Sequence, residues 1–278
     1  MMIHDYKLNN DLTLKRNATK IPKDTITFSF RDILLQHDNG NSHQEKLIQS
    51  VQIASTDIGF EVFVPAKSKV KAIIISLKID DLKTLLDHND GKELLENIIL
   101  QDKPYIYEES FSAQIKNIKE EIMSANMPQQ LSNFYFKIKA QELIYLFFVE
   151  LLKRKSITQY PINASDAKII YQIRDRLILD LSLAPNITEL CLLYGMSETK
   201  MQRLFKQVFG NTIHNYHQKN RIKEAANLIK NKKVSVSEAG YLIGFTNMSH
   251  FSRIFERHTG LKPKKYSAMV LASNKMAQ

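Results

Sequence analysis

Cysteine is nearly absent from this chain of 278 residues, which contains only Cys191. The chain therefore cannot form an intramolecular disulfide, and no cysteine cluster can hold a metal ion. Because Cys191 lies in an apolar stretch, we expect a small buried side chain there and not a reactive thiol. The sequence also lacks a glycine-rich phosphate loop, an HExxH motif and a GxSxG motif. We therefore predict no enzyme, no metal site and no cofactor.

Long hydrophobic runs are absent as well. The densest apolar run, Leu143–Val149, is far shorter than a membrane span. The first residues, Met1–Asn10, contain no apolar core of the kind found in a signal peptide. We therefore expect a cytoplasmic protein that does not contact a membrane.

The excess positive charge is confined to one part of the chain. Residues 163–278 contain 18 basic and 8 acidic residues, whereas residues 1–162 contain 21 of each. The whole net charge of +10 therefore belongs to the C-terminal segment. Such a segment is typical of a module that binds a polyanion, although a merely soluble basic surface explains the charge about equally well.

The C-terminal segment repeats itself at an offset of 50 residues. Apolar, arginine, glycine and tyrosine positions recur in the same order, from Met201, Arg203, Leu204, Phe205, Gly210 and Tyr216 to Phe251, Arg253, Ile254, Phe255, Gly260 and Tyr266. Gly195-Met196 returns as Gly244-Phe245, one residue closer. Each copy predicts a helix, a glycine turn and a second helix with basic outward residues. This order is typical of a helix-turn-helix, whose second helix enters the DNA major groove.

The first 160 residues predict strands followed by helices. Runs of period two or of β-branched residues, between about 25 and 79, predict a small sheet or partial barrel. Helical periods from about 81 to 155 follow, with stripes at Leu94, Leu95, Ile98 and Ile99 and at Phe111, Ile115, Ile118 and Ile122. His37 and His43 are expected in a loop around Asn39-Gly40-Asn41, and Tyr105 and Tyr107 on a strand or extended segment.

The longest predicted helix of this half covers Gln130 to Lys155. One face carries apolar residues at Leu131, Phe134, Tyr135, Ile138, Tyr145, Val149 and Leu152. A second set widens the apolar surface, at Leu143, Ile144, Phe147 and Phe148. A helix this apolar must be buried on more than one side. Two explanations stay open, packing against its own sheet or contact with a second copy of the chain.

A linker near residue 160 is predicted to separate an N-terminal domain, 1–160, from a C-terminal domain, 163–278. In the latter, capping-box patterns at Asn186 with Glu189 and at Ser235 with Glu238 begin the first helix of each unit. A helix from about Thr212 to Asn231 connects the two units. The fold class is therefore α+β, with an all-α C-terminal domain.

The second helix of each helix-turn-helix unit, called the reading helix below, carries outward residues that suit contacts with base edges. Arginine can donate two bonds to guanine and glutamine can pair with adenine, whereas serine and histidine supply single contacts. Arg203 and Arg253 recur at one place in both repeats, which favours a reading role over an exposed salt bridge. For Gln202, Ser249 and His250, an ordinary solvated position explains the residue about as well as a base contact.

Residues from about Ile187 to Tyr266 resemble the DNA-binding domain of AraC-type transcription regulators. The first unit and connecting helix contribute Gly195-Met196-Ser197, Arg203-Leu204-Phe205-Lys206, Gly210, Arg221 and Ala225. The second unit contributes Ser235–Glu238, Ile243-Gly244-Phe245, Ser249–Phe255, Gly260 and Pro263. The resemblance implies two units bound to adjacent major-groove segments of double-stranded DNA. It places Thr199, Gln202, Arg203, Ser249, His250 and Arg253 at bases, and we expect Lys206 and Arg257 at phosphates.

Two departures from the family pattern concern the second unit. Ala239-Gly240 stands where the family usually has a larger aliphatic residue followed by alanine. Because glycine inside a helix costs roughly 1 kcal/mol relative to alanine, a looser second unit is expected. Glu256 stands where a basic residue is common, and an acid near phosphates weakens binding.

The order of elements in the N-terminal half is similar to that of AraC-type regulators, in which this half often binds an effector and dimerises. We therefore expect a homodimeric regulator that responds to a small-molecule effector and recruits RNA polymerase as an activator. A DNA-binding regulator controlled by a protein partner is the alternative. An enzyme fused to a DNA-binding domain is disfavoured, because the front half has no nucleophilic cysteine or metal cluster.

Overall fold

The computed structural model describes residues 1–15, 24–38, 43–55, 58, 61–86, 104–154, 159–231 and 234–276. The chain forms two compact units. The N-terminal unit comprises Met1–Lys168 together with Gln207–Gly210, and the C-terminal unit comprises Ile169–Lys206 and Asn211–Gln278. The predicted stripe at Leu94, Leu95, Ile98 and Ile99 lies outside the described residues.

The N-terminal unit contains seven strands within its described residues. They are β1 (Met2–Lys7), β2 (Leu12–Lys15), β3 (Thr25–Asp38), β4 (His43–Ala54), β5 (Glu61–Val64), β6 (Lys69–Lys78) and β7 (Ile106–Ser110). Five form an antiparallel sheet in the order β1-β6-β3-β4-β7, and β2 pairs with β5 in a separate two-stranded ribbon. This confirms the predicted small sheet.

Three α-helices lie wholly within the described residues of the N-terminal unit, namely α1 (Ile79–Leu85), α2 (Ala113–Met123) and α3 (Ser132–Leu152). Alternation along β3 directs Ile26, Phe28 and Phe30 to one face, where they are fully buried. That face packs with α2 and α3 into one apolar core. The Phe28 and Phe147 rings meet edge to face with their centroids 5.4 Å apart. The sheet is thus closed on this side by its own helices.

The two faces of α3 differ in burial. Leu143, Ile144, Leu146, Phe147, Phe148 and Leu151 are buried in the core of the unit. On the other face, five large apolar side chains are 46% to 66% exposed, at Leu131, Phe134, Ile138, Tyr145 and Leu152. Packing against its own sheet therefore accounts for only one side of this helix.

Two details of the N-terminal half differ from the sequence prediction. His37 and His43 lie in β3 and β4 and not in a loop, because the ladder continues to the pair Asp38 and His43. The strands β1 and β2 precede the region in which strands were predicted. Tyr105 and Tyr107 are both buried and stack at 5.9 Å, and burial raises the pKa of Tyr107 to about 12.

Seven helices follow within residues 159–231 and 234–276, the part of the C-terminal half that the structure describes. They are α4 (Ala164–Leu179), α5 (Ile187–Tyr194), α6 (Glu198–Phe209), α7 (Ile213–Asn231), α8 (Val236–Leu242), α9 (Met248–Thr259) and α10 (Pro263–Met276). The pairs α5–α6 and α8–α9 are the two predicted helix-turn-helix units, and α7 connects them. The α+β fold class is confirmed. Among the described residues, no helix is both long enough and apolar enough to cross a membrane.

Candidate nucleic-acid interface

Each helix-turn-helix unit begins with a capped helix and turns at a glycine. The Asn186 side chain accepts a bond from the Glu189 amide at 3.2 Å, and Ser235 Oγ accepts one from the Glu238 amide at 3.1 Å. Gly195 and Gly244 then adopt φ of 61° and 81°, a left-handed conformation that side chains with a Cβ atom disfavour. The local sequence therefore fixes where each reading helix starts.

The reading helices separate an apolar inner face from a polar outer face. The inner face of α6 is fully buried at Met201, Leu204, Phe205 and Val208. The inner face of α9 is buried at Phe251, Ile254 and Phe255. In each unit the phenylalanine meets a tyrosine of the following helix edge to face at 5.4 Å, as Phe205 with Tyr216 and Phe255 with Tyr266. The inner faces thus anchor both helices in the same way.

The outer faces carry most of the predicted site residues in exposed positions. Thr199, Arg203 and Lys206 are exposed on α6, and Ser249, His250, Arg253 and Arg257 are exposed on α9. Gln202 differs, because it is half-buried and its Oε1 is enclosed without a hydrogen-bond partner in the described structure. A base contact from Gln202 would require its amide to turn outward. The assignment of these residues to bases or phosphates stays a prediction.

The first turn of α9 is capped by Asn247, whose Oδ1 accepts a bond from the His250 amide at 2.9 Å. The His250 ring meets the Phe245 ring edge to face at 5.7 Å. This contact ties the exposed imidazole to the buried aromatic residue that follows the turn. At the end of the helix, burial, followed by the charges of Lys219 and Arg257, lowers the pKa of His258.

Gly240 has a packing role that helix propensity alone did not show. It is buried in α8, and a Cβ atom built there would lie 2.9 Å from Met248 Sδ and 3.3 Å from Phe251 Cδ1. The missing side chain therefore lets α8 approach α9 closely. This close approach offsets part of the expected cost of glycine inside a helix.

The connecting helix α7 supplies a residue whose contacts the sequence did not reveal. Arg221 Nε donates to the Ile243 carbonyl at 2.7 Å, and its guanidinium carbon lies 4.1 Å from the centre of the Phe245 ring. Burial lowers the pKa of Arg221. The only sequence signal for this residue was its place among those that carry the family resemblance.

Comparison with known proteins identifies the segment that contains both units. Residues 190–269 match the family model described as a helix-turn-helix domain. The probable transcription factor PqrA of Proteus vulgaris is 35% identical over 72 residues, which are 26% of this chain and 59% of that protein. The probable transcriptional regulator LumQ of Photobacterium leiognathi is 26% identical over 223 residues, 70% of this chain and 85% of that protein.

A third relative matches a smaller share of its own length. The HTH-type transcriptional activator RhaR of Cronobacter sakazakii is 32% identical over 79 residues, 28% of each chain. This chain thus spans less than two thirds of PqrA and of RhaR. The relatives are transcription regulators by name and not enzymes. These matches confirm the resemblance of the double helix-turn-helix segment to AraC-type transcription regulators.

Proposed function

We propose that the chain regulates transcription by reading two adjacent major-groove segments of double-stranded DNA. One observation carries the proposal, namely that α6 and α9 present exposed polar outer faces on buried apolar inner faces after equivalent glycine turns. Base contacts are assigned to Thr199, Gln202, Arg203, Ser249, His250 and Arg253, and phosphate contacts to Lys206 and Arg257. The positive charge of residues 163–278 supports binding to a polyanion.

Selection from a random duplex library by the full chain, at near-physiological salt, tests this proposal. Two blocks about one helical turn apart are expected, because adjacent major-groove faces repeat at that distance. Arg203→Ala should lose discrimination at one base step of the first block, at a cost of about 1–3 kcal/mol.

Lys206→Ala is the matched control on the same helix. It should weaken binding to all sequences uniformly. It should also reduce the slope of log affinity against log salt concentration by about one, the value for one phosphate contact. Equal weakening of all sequences by Arg203→Ala would refute its base-reading role. Recovery of a single block would limit sequence reading to one unit.

We further propose that the protein is a homodimer and that a second copy covers the exposed stripe of α3. The stripe extends from Leu131 to Leu152, a helical length of about 30 Å. Large apolar side chains that are contiguous and exposed are typical of protein interfaces. Tyr145→Glu should convert the dimer to a monomer in analytical ultracentrifugation and leave the far-ultraviolet circular dichroism unchanged. A Tyr145→Glu protein that remains dimeric would contradict this interface.

The N-terminal unit is proposed to respond to a small-molecule effector. The support is a buried polar group on the sheet face opposite the helices, where Arg31 Nη2 and Gln52 Nε2 both lie 3.4 Å from Glu108 Oε2. Arg31 Nε is enclosed without a hydrogen-bond partner in the described structure, which leaves a donor available to a polar ligand.

A thermal-shift screen of polar metabolites tests the effector proposal. A compound that stabilises the wild type and not Glu108→Gln supports it. If no compound in a broad metabolite set stabilises the protein, the alternative, control by a protein partner, is favoured.

We propose activation through RNA polymerase as the direction of regulation. The support is that RhaR, a relative over the helix-turn-helix segment, is a transcriptional activator by name. In vitro transcription from a promoter that carries the selected site should rise when the protein is added. A fall in transcript would establish repression instead.

A further inference from the structure

The connecting helix α7 contacts the turn of the second unit through Arg221. The Nε–H of Arg221 donates to the Ile243 carbonyl at 2.7 Å, at the end of α8 where helix carbonyls have no intrahelical partner. The guanidinium group also faces the Phe245 ring at 4.1 Å, a distance at which a cation and an aromatic ring attract each other. One side chain thus holds the residues on both sides of Gly244.

The Phe245 ring passes this contact on to the second reading helix. Phe245 is buried and packs against Phe251 with the ring centroids 5.3 Å apart. It also meets His250 edge to face at 5.7 Å. The exposed imidazole of His250 therefore contacts a ring that also contacts the Arg221 guanidinium.

The opposite side of the same turn contacts the loop before the first unit. A Cβ atom at Gly244 would lie only 2.1 Å from the Ser182 carbonyl oxygen, so the two backbones are in close contact. The amide and the hydroxyl of Ser182 both donate to Asp180 Oδ1, at 2.9 and 2.6 Å. Burial of the His217 imidazole lowers its pKa, and the neighbouring backbone of Asp180 partly opposes this effect.

These contacts form a closed ring around the turn of the second unit. His217 and Arg221 are four residues apart on α7 and therefore lie on one face of it. The loop at 180–182 lies beside His217, and Arg221 holds the turn at 243–245. The loop and the turn meet at Gly244. The second unit is thus held to the connecting helix from two sides.

We propose that Arg221 is a positioning residue for sequence recognition, which places His250 and the start of α9 at a fixed angle to the connecting helix. The proposal rests on the proposed reading of DNA by the second unit. Arg221 itself contacts no base in this role. Its guanidinium combines a directed hydrogen bond with a planar face over an aromatic ring, and a lysine cannot reproduce both.

The test compares Arg221→Lys and Arg221→Met with Lys230→Met, an exposed residue on the same helix. Each full-length variant is first checked for folding by circular dichroism. The library selection is then repeated, and the histidine ring signals are recorded by NMR without DNA, with His250→Gln to assign the His250 signals. Arg221→Lys keeps the charge, so the test does not depend on the methionine variant remaining folded.

We expect both Arg221 variants to keep the first block and to lose about tenfold in discrimination within the second block. They should also shift the His250 signals. Lys230→Met should leave the second block and the His250 signals as in the wild type. A merely electrostatic role predicts instead that Arg221→Lys reads both blocks normally, and that result overturns the proposal. A purely structural role predicts equal weakening of both blocks with unchanged base preference, which overturns it too.

Failure of the underlying function gives a different result. If the wild type selects no second block, base reading by the second unit is wrong. Shifted His250 signals in Arg221→Lys then still support the positioning contact. If the wild type selects two blocks and the His250 signals and second block are unchanged in Arg221→Lys, the positioning role is wrong and the proposed function stands.

Discussion

Gly195 and Gly244 occupy equivalent turns in the two units, and their environments predict different costs for the same substitution. Both have positive φ, 61° and 81°. Apart from its chain neighbours, no atom of the described residues lies within 4 Å of a Cβ at Gly195, whereas a Cβ at Gly244 would lie 2.1 Å from the Ser182 carbonyl oxygen and 2.8 Å from its carbon. Alanine at either site therefore meets the same backbone strain, but only Gly244→Ala meets a steric overlap.

The magnitude follows from separating these two effects. The left-handed conformation costs a residue with a Cβ roughly 1–2 kcal/mol, and a reduced entropy of the unfolded chain returns about 0.4–1 kcal/mol. Gly195→Ala should therefore lower the free energy of unfolding by about 1 kcal/mol. At Gly244 the backbone must also move, which costs a further 1–3 kcal/mol or so. The Ser182 loop is stiffened by the bonds from its amide and hydroxyl to Asp180, so a local adjustment of the Ser182 carbonyl breaks or strains them.

Urea unfolding followed by circular dichroism at 222 nm measures this difference. With a denaturant slope of about 2 kcal/mol per molar, an extra 2 kcal/mol lowers the midpoint of Gly244→Ala by about 1 M relative to Gly195→Ala. The two variants serve as controls for each other, since the strain and entropy effects are common to both. Equal midpoints, or a lower midpoint for Gly195→Ala, would refute the steric argument.

Three further predictions test other parts of the structure. Phe147→Glu places a charge in the core of the N-terminal unit and should abolish its cooperative unfolding transition, while Tyr145→Glu on the exposed face of α3 should keep it. Burial and then the charge of Arg221 lower the pKa of His217 to about 4, so the unfolded chain binds more protons than the folded chain between about pH 4 and 6.5. The free energy of unfolding should therefore fall as the pH falls through that window. Urea unfolding at several pH values should show a shallower fall for His217→Gln than for the wild type. Gly240→Ala should change the urea midpoint little, because a gain of roughly 1 kcal/mol in helix propensity opposes displacement of the flexible Met248 side chain. A loss of stability as large as that of Gly244→Ala would show that Met248 cannot move.

The helices of the C-terminal half could be predicted closely because their signals are local. A cap at Asn186 and a glycine at 195 mark the two ends of α5, which the structure gives as Ile187–Tyr194. The last helix, α10, was missed although a signal existed. Pro263 at its first position is typical of a helix start, and the repeat places it after Gly260 as α7 follows Gly210.

The first strands and the ring of contacts around Gly244 could not be predicted in the same way. β1 alternates little in hydrophobicity and lies at the edge of the sheet, so its pairing with β6 depends on residues about 70 positions away. Arg221 and Ile243 are likewise joined only by the packing of α7 against α8. Exposure of most outer residues on α6 and α9 followed from helical periodicity, whereas the half-buried position of Gln202 depends on its surroundings in the folded chain.

The division of each reading helix into two faces has a consequence for how such proteins diverge. Stability is supplied by the inner residues and by the aromatic pair in each unit, Phe205 with Tyr216 and Phe255 with Tyr266. The outer residues are exposed and add little to the core, so substitutions among them are close to neutral for folding. The outer residues of either copy of the 50-residue repeat can therefore be exchanged without a stability penalty, so the two helices can present different polar surfaces on the same scaffold.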